Sequence, residues 1–190
     1  FAMTDLFIPE TRAVGLLQKR PMDRPLFRFP QFCLLGLGIA GVSLGIARRA
    51  IDELVDLAGA KKPTGSRRVL ADRADTQAGT ARAEALIRSS RLYLFDAIDQ
   101  AWTRACNGDD LDVPLRRDLR LATTHTVRSC AQAVDLMYDL GGGTSVYRTS
   151  RLQRCFRDIH VATQHIMVGP GTLELTGKLF LGVETNTAML

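Results

Sequence analysis

The segment from Arg151 to Gly171 holds the residues of this chain that are best suited to chemistry. It combines several arginines with Asp158 and with two of the chain's three histidines, and it ends in a Gly-Pro-Gly break. His165 lies just before that break, where a ligand can approach the backbone, and imidazole titrates close to neutral pH. The spacing therefore makes His165 the first candidate for a proton-transferring side chain. The alternative is a buried histidine that is hydrogen-bonded to a turn.

The other polar groups near this segment give weaker signals. His160 and His165 are five residues apart, about 140° around a helix, so they do not share a face and we expect no metal site. The adjacent Arg157 and Asp158 are expected to form an ion pair that fixes their helix. The three glycines at 141–143 could bring backbone amides to a phosphate, or they could simply end a helix.

Composition and charge indicate one globular domain. The chain has 190 residues, of which 46% are hydrophobic and 24% charged, and a net charge of +5. Arginines alternate with acidic residues instead of forming a stripe, so we expect no nucleic-acid partner. The longest apolar run, 32–47, is shorter than the roughly 20 residues of a membrane span. It predicts a fully buried helix in a protein without a membrane partner, with Gly41 and Gly45 allowing close approach of neighbouring helices.

Cysteine usage indicates a reducing compartment. The four cysteines are far apart and form no CxxC pair, and most of them lie in apolar helical patterns. This distribution is typical of buried free thiols and not of a disulfide framework or a zinc site. Because no signal peptide is present either, we expect a cytoplasmic protein.

Apolar periodicity predicts an all-α fold. Helices are expected at about 31–60, 67–107, 115–140 and 149–168, with a short helix at 172–182, and Ser66 is a candidate N-cap for the second helix. Strand signals are nearly absent. Four substantial helices with short turns predict an antiparallel, up-and-down four-helix bundle over residues 31–190. The proline-rich residues 1–30 show no sustained period and are expected to be an extended linker.

Two motifs, DLFIPE at Asp5–Glu10 and a glycine-rich segment at Asp139–Asp158, occur in this order, and together they resemble the C-terminal domain of the acyl-CoA dehydrogenase superfamily. DLFIPE at Asp5–Glu10 resembles the family's exit from its middle β-domain. DLGGGTSVYRTSRLQRCFRD at Asp139–Asp158 resembles its glycine-pair and arginine-aspartate signature. The resemblance covers essentially the whole chain. It implies that residues 1–30 lead from a β-domain missing here, and that the bundle is the last of three domains.

The same resemblance implies a flavin, FAD or FMN, lying between the β-domain and the bundle with help from a neighbouring subunit. The protein would then be a homo-oligomer, a dimer or a tetramer. The family has an arginine at the flavin contact that opens its second bundle helix, and Ser66 stands there in this chain. The cofactor-binding residues that the resemblance implies are Ser66, Arg67, Gln77, Gly141, Gly142, Arg157 and Asp158.

A departure from the family pattern points to one branch of it. Common acyl-CoA dehydrogenases place a catalytic glutamate eight residues after the signature aspartate, and this chain has Ile166 there. The other frequent position for the base, near 39–44, holds no carboxylate either. Arg157, Asp158 and His165 instead resemble the RDxxxxxxH pattern of the two-component flavin-dependent monooxygenases, which receive reduced flavin from a separate reductase.

The resemblance therefore implies a monooxygenase that acts on a small molecule with reduced flavin and O2. His165 would be its acid/base, helping to form or protonate the flavin C4a-hydroperoxide or deprotonating a phenol. Two alternatives remain. One is an acyl-CoA dehydrogenase whose base lies elsewhere, and the other is a bundle without catalysis that only assembles with partners.

Overall fold

The computed structural model describes residues 3–13 and 22–190, and within them it contains helices and turns but no strand. The α-helices are α1 (Gln31–Ala60), α2 (Ala74–Cys106), α3 (Val113–Gly141), α4 (Arg151–Thr163) and α5 (Pro170–Phe180). Short 3₁₀ helices lie at Glu10–Arg12, Pro25–Arg28, Leu70–Asp72 and Gly142–Val146. The all-α prediction is confirmed. Part of the expected linker, 1–2 and 14–21, lies outside the described residues.

The helices form an up-and-down bundle around α3, which contacts each of the other four. Helix α2 runs antiparallel to α3, because Thr126 Oγ1 of α3 donates to Ser90 O at 3.2 Å and Gly79 faces Leu140. Helices α4 and α5 also run antiparallel to α3 and together occupy the fourth position. The predicted topology is therefore confirmed, with a break in the last helix.

Two apolar clusters fill the bundle, one at each end. The first joins the second half of α1 to the start of α2, the end of α3 and α4, around Ile51, Leu54 and Met137. The second joins the start of α1 to the end of α2, the first half of α3 and the 164–169 loop, around Leu94 and Leu119. We call the first the glycine end, because 141–143 lie there, and the second the histidine end, because His165 lies there.

Helix α1 is buried on one side only, which corrects the prediction of a fully buried helix. Its buried positions recur every three or four residues and include Cys33, Gly36 and Ala40. Gly41 and Gly45 lie on the other side, where an added Cβ would meet no atom within 4 Å. Among the described helices, α1 alone has the length and apolar composition to cross a membrane. A bundle's core helix passes the same test.

The start of α2 differs from the prediction. The helix begins at Ala74 and not at Arg67, and Ser66 lies in a preceding turn where its hydroxyl accepts from the Arg68 amide at 3.1 Å. Leu70 explains the difference: its side chain is 4% exposed and its amide donates to Lys61 O at 2.9 Å. Burying Leu70 folds the chain back against the end of α1 and delays the next helix.

The buried face of α2 also differs from the strongest apolar pattern in its sequence. The residues Ala74, Ala78, Ala81, Leu92, Phe95 and Trp102 share a three-to-four spacing, yet all are exposed. Most of the buried positions are smaller, among them Gly79, Ala83 and Ala97. Helix α2 therefore has two apolar faces, and both carry large side chains: Ile87 and Leu94 are buried, whereas Phe95 and Trp102 are exposed.

Helix α4 ends at Thr163 instead of continuing to Val168, so His165 lies in a loop. Thr163 Oγ1 donates to His160 O at 2.7 Å in the last turn. Pro170 then occupies the first turn of α5, a position where its missing N–H costs no helical hydrogen bond. The break between α4 and α5 sets the position of the candidate catalytic side chain.

Candidate functional site

His165 lies at the histidine end with its ring exposed and its backbone anchored. Its amide donates to Ala162 O at 3.2 Å, and its carbonyl accepts from the Val168 amide at 3.0 Å. The Met167 amide donates to His165 Nδ1 at 3.2 Å. Because a backbone N–H can only donate, Nδ1 must be the acceptor, and the neutral ring carries its proton on Nε2.

Buried neighbours hold this loop in place. Met167 is 2% exposed and Val168 is fully buried, whereas Ile166 between His165 and Met167 is 72% exposed. The loop thus turns His165 and Ile166 outward on an apolar anchor. Ile166 stands at the position where the resemblance to acyl-CoA dehydrogenases predicts a catalytic glutamate, and its side chain has no group that could accept a proton.

The glycine end carries a cavity of about 460 Å³ whose lining includes both cationic and acidic side chains. Lys61, Lys62 and Arg73 line it, together with Asp75 and Asp139, and Gly142 and Thr76 also face it. The Thr76 hydroxyl is buried and has no hydrogen-bond partner among the described residues. Arg73 pairs with Asp75 at 2.8 Å, which leaves Lys61 and Lys62 as the cations next to the unsatisfied hydroxyl. Two lysines and a hydroxyl fit a phosphate group, so this cavity, which we call the cationic pocket, fits the phosphate-bearing part of a flavin.

The glycines that shape the cationic pocket have different roles. Gly142 has φ 55° and ψ −146°, a conformation that L side chains rarely adopt. Gly141 is buried, and a Cβ there would overlap Ser145 Oγ and lie 2.7 Å from Leu152 Cδ1. Its carbonyl accepts a hydrogen bond from Lys61 Nζ. Gly142 therefore allows the turn at the pocket, and Gly141 allows the packing beneath it.

The remaining predicted cofactor residues lie outside the lining of this pocket. Ser66 lies in its own turn, and Arg67 next to it is exposed. Gln77 is also exposed, and its side-chain amide donates to Ala71 O at 2.9 Å. Arg157 and Asp158 form the expected ion pair on α4, at 3.3 Å. Their cofactor roles stay predictions.

Lys61, Lys62 and Arg73 of the cationic pocket were not among the site residues predicted from the sequence. Lys61 and Lys62 follow α1 directly, a position at which basic residues are usually explained by the helix dipole. Their proximity to the glycine triplet is a contact across the bundle, 80 residues apart in sequence for Lys61 and Gly141. A local signal did exist, namely the density of cations between 61 and 73.

His165 and the cationic pocket lie far apart in one chain. Along α3, the 21 residues from Arg120, which contacts Met167, to Gly141 span about 32 Å. The predicted site residues therefore fall into two groups, one at each end of the bundle.

The other titratable groups of the described residues form no metal site, since no cluster of three His, Cys, Asp or Glu side chains is placed to hold an ion there. His160 Nε2 instead lies 2.8 Å from Asp135 Oδ1. The four cysteines are free thiols, but only three are buried, because Cys106 near the end of α2 is exposed. Burial raises the pKa of Cys33 to about 11 and that of Cys130 to about 12.

This geometry defines a helical-bundle domain with candidate site residues at each of its two ends. Residues 37–170 match the family described as acyl-CoA dehydrogenase, C-terminal domain. The chain belongs to this family, which confirms the resemblance given by its sequence motifs.

Two relatives of known name are similar to this chain in sequence. The chain is 37% identical over 164 residues to an indole-3-acetate monooxygenase of Pseudomonas putida, covering 86% of this chain and 42% of the relative. It is 26% identical to the oxygenase component of p-hydroxyphenylacetate 3-hydroxylase of Acinetobacter baumannii, covering 99% of this chain and 47% of the relative. The chain thus spans less than half the length of either relative.

The fold is also similar to that of XiaF from a Streptomyces species, solved in complex with FADH2 and glycerol. The TM-score is 0.82 at 24% identity, over 95% of this chain and 48% of that one. At this level of identity the comparison supports the fold.

Proposed function

We propose that this chain is the C-terminal bundle of a flavin-dependent monooxygenase that hydroxylates an aromatic small molecule. The names of the two relatives above support this activity. The observation that carries the proposal is the pair His165 and Ile166. A histidine that presents a proton on Nε2 stands beside an isoleucine at the position where a dehydrogenase of this family would need its carboxylate base.

The proposed cofactor is reduced flavin, FAD or FMN, delivered by a separate reductase. Two observations support this proposal: one relative is the oxygenase component of a hydroxylase, and XiaF was solved in complex with FADH2. When bound, reduced flavin supplies the two electrons that split O2, so that one oxygen atom enters the substrate and the other leaves as water. In this chain, Lys61 and Lys62, together with the Thr76 hydroxyl, would hold the flavin phosphate.

His165 would act as a hydrogen-bond donor in the state that the structure shows. Its Nδ1 is occupied by the Met167 amide, so the neutral ring offers Nε2–H and no free lone pair. An N–H held at a fixed position on an anchored loop suits a hydrogen bond to the oxygen that leaves as water. Transfer of a proton from His165 requires the imidazolium, in which both ring nitrogens donate, so the Met167 hydrogen bond would break in that state. Deprotonation of a phenol by the neutral ring would first require the Met167 hydrogen bond to break.

We further propose that the protein is a homo-oligomer in which two copies complete each flavin site. The roughly 32 Å between Arg120 and Gly141 along α3 separates His165 from the cationic pocket of the same chain. A neighbouring copy could bring its own cationic pocket to the histidine end. The exposed stripe of Leu92, Phe95 and Trp102 on α2 offers the apolar surface that such assembly needs.

We also propose a cytoplasmic location, which the four free thiols support.

The experiment uses the full-length protein, a flavin reductase and isotopically labelled O2. Indole-3-acetate and p-hydroxyphenylacetate serve as trial substrates, and mass spectrometry follows the label into product. We expect incorporation of one labelled oxygen atom. His165→Ala should lower the rate about 100-fold or more while leaving flavin affinity unchanged. His165→Asn, which keeps an acceptor for the Met167 amide, controls for loop structure.

Each alternative has its own outcome in this experiment. A protein that incorporates no label but whose oxidised flavin is bleached by an acyl-CoA is a dehydrogenase, the activity after which the family is named. A protein with neither activity that also fails to bind reduced flavin is a bundle that only assembles. Unchanged hydroxylation by His165→Ala would remove His165 from the mechanism and leave the monooxygenase assignment intact.

A further inference from the structure

Two arginines on α3 are partly or wholly buried without an acidic partner. Arg116 and Arg120 lie one turn apart, and neither has an Asp or Glu oxygen within 4.0 Å among the described residues. The Nε atom of each is buried and makes no hydrogen bond. Arg120 is only 2% exposed. A buried guanidinium normally has a carboxylate partner, so this pair is unusual.

The hydrogen bonds of these arginines include no Asp or Glu side chain among the described residues. Arg116 Nη2 donates to the main-chain oxygens of Thr187 at 2.7 Å and of Leu190 at 3.4 Å. Arg120 Nη1 contacts Met167 Sδ at 3.6 Å, and a thioether is a weak acceptor. Cys33 interacts electrostatically with both arginines, but burial raises the pKa of its thiol to about 11, so the thiol is uncharged at neutral pH. Burial lowers the pKa of Arg120, yet an arginine side chain remains a cation in proteins.

The fold keeps space for the Arg120 guanidinium. Gly36 lies inside α1, and an added Cβ there would stand 3.2 Å from both Arg120 Nη1 and Thr123 Cγ2. Glycine inside a helix weakens it, and an apolar side chain in place of Arg120 would avoid burying a charge. Both destabilising features, the glycine inside α1 and the buried charge of Arg120, occur at the same place in the fold. We infer that the charge is retained because it meets an anion.

The position of Arg120 indicates which anion. Met167, which covers its guanidinium, is two residues from His165, and its amide is the one that donates to His165 Nδ1. Arg120 therefore lies directly beneath the loop that carries the candidate proton donor. The cationic pocket suited to a flavin phosphate is at the other end of α3, about 32 Å away. In the proposed assembly, the lysines of a neighbouring copy's cationic pocket hold the flavin phosphate, so Arg120 is not needed for it. A carboxylate on the substrate is then the anion left for Arg120.

We propose that Arg120, supported by Arg116, binds the carboxylate of an aromatic acid substrate and so holds its ring next to His165. This inference rests on the proposed function. The planar guanidinium matches a carboxylate with two parallel hydrogen bonds. Met167, a flexible side chain, occupies that place in the structure. A carboxylate that displaces its sulfur exchanges a weak acceptor for a charged one, and only the Met167 side chain has to move, so the Met167 amide keeps its hydrogen bond to His165 Nδ1.

Binding without turnover tests the proposal. Anaerobic titration calorimetry on the full-length protein compares indole-3-acetate with its neutral counterpart 3-methylindole, and FMN with riboflavin. The unmodified protein should bind the acid at least tenfold more tightly than the neutral analogue. Arg120→Met should abolish that preference and leave the FMN-to-riboflavin ratio unchanged. Arg117→Met is the matched control, because Arg117 lies on the same helix, pairs with Asp118 and should leave both ratios unchanged.

Other results overturn the proposal. Equal affinity of the unmodified protein for acid and neutral analogue would refute it whether or not Arg120→Met folds. An acid preference that survives in folded Arg120→Met would place the carboxylate elsewhere. A loss of FMN affinity with the acid preference intact would mean that the anion is the flavin phosphate. Because no oxygen is used, a protein that binds the acid through Arg120 but never hydroxylates it would contradict only the proposed function.

Discussion

Substituting each glycine of the triplet at 141–143 by alanine separates two physical effects. One is the space available for the new Cβ, and the other is the backbone conformation. At Gly141 the obstacle is space, because the new Cβ would overlap Ser145 Oγ and approach Leu152 Cδ1 to 2.7 Å. At Gly142 the obstacle is backbone conformation, since φ is 55° and the nearest atom, Lys61 Nζ, is 3.7 Å away. At Gly143 neither obstacle exists, because nothing lies within 4 Å of the added Cβ.

The magnitudes follow from these contacts. Ser145 is fully buried and Leu152 is 3% exposed, so neither can move into solvent, and Gly141→Ala should lower the free energy of unfolding by about 1–3 kcal/mol, the usual cost of overpacking. Gly142→Ala should cost about 1–3 kcal/mol through backbone strain. Gly143→Ala should stay within about 0.5 kcal/mol, as surface changes usually do.

Thermal unfolding followed by helical circular dichroism measures all three variants. For a domain of this size, each kcal/mol corresponds to about 2–4 °C in Tm. Gly141→Ala and Gly142→Ala should therefore unfold several degrees below the unmodified protein, with Gly143→Ala as the matched control. Equal Tm values for the three variants would refute the distinct roles assigned to space and backbone conformation at this turn.

Three further predictions concern the helix cap, the cationic pocket and the thiols. Asp112 Oδ1 accepts from the Leu115 amide at 3.0 Å, so Asp112→Ala should cost about 1 kcal/mol, measured by urea unfolding; no shift in midpoint would contradict the capping role. Lys61→Gln should weaken FMN binding but not riboflavin binding in fluorescence titrations, and an equal loss for both would exclude a phosphate contact. Because burial raises the pKa of Cys33 to about 11 and of Cys130 to about 12, iodoacetamide at pH 8 should label Cys106 first; rapid labelling of a buried thiol, seen by mass spectrometry, would contradict this.

The sequence was sufficient to predict the bundle because its helices carry strong periodicity and clear stops. It was insufficient where long-range packing decides local structure. Leu70 delays α2 because its side chain reaches the core, and no local pattern distinguishes it from a helical leucine. The outer apolar face of α2 was indistinguishable from a core face by spacing alone. Helix α4 ends early because Met167 and Val168 anchor a loop instead of another helical turn.

The candidate site divides in the same way. His165 could be found from one segment, because its residue type and the following glycine break are local signals. The link between Lys61 and Gly141 joins positions 80 residues apart, and the contact of Arg120 with Met167 joins positions 47 apart. Such pairings exist only once the bundle has formed. The cationic pocket and the buried arginine are therefore visible in the structure and not in the sequence.

Rapid mixing of the full-length protein with O2, after anaerobic loading with chemically reduced flavin, tests the central claim most directly. The visible absorbance of oxidised flavin should return more slowly than in protein-free flavin, and in the presence of an aromatic acid its return should accompany hydroxylated product. His165→Ala should shorten the delay and lose the product while still binding flavin. Immediate reoxidation without product in the unmodified protein, together with bleaching of oxidised flavin by an acyl-CoA, would contradict the monooxygenase assignment and identify a dehydrogenase.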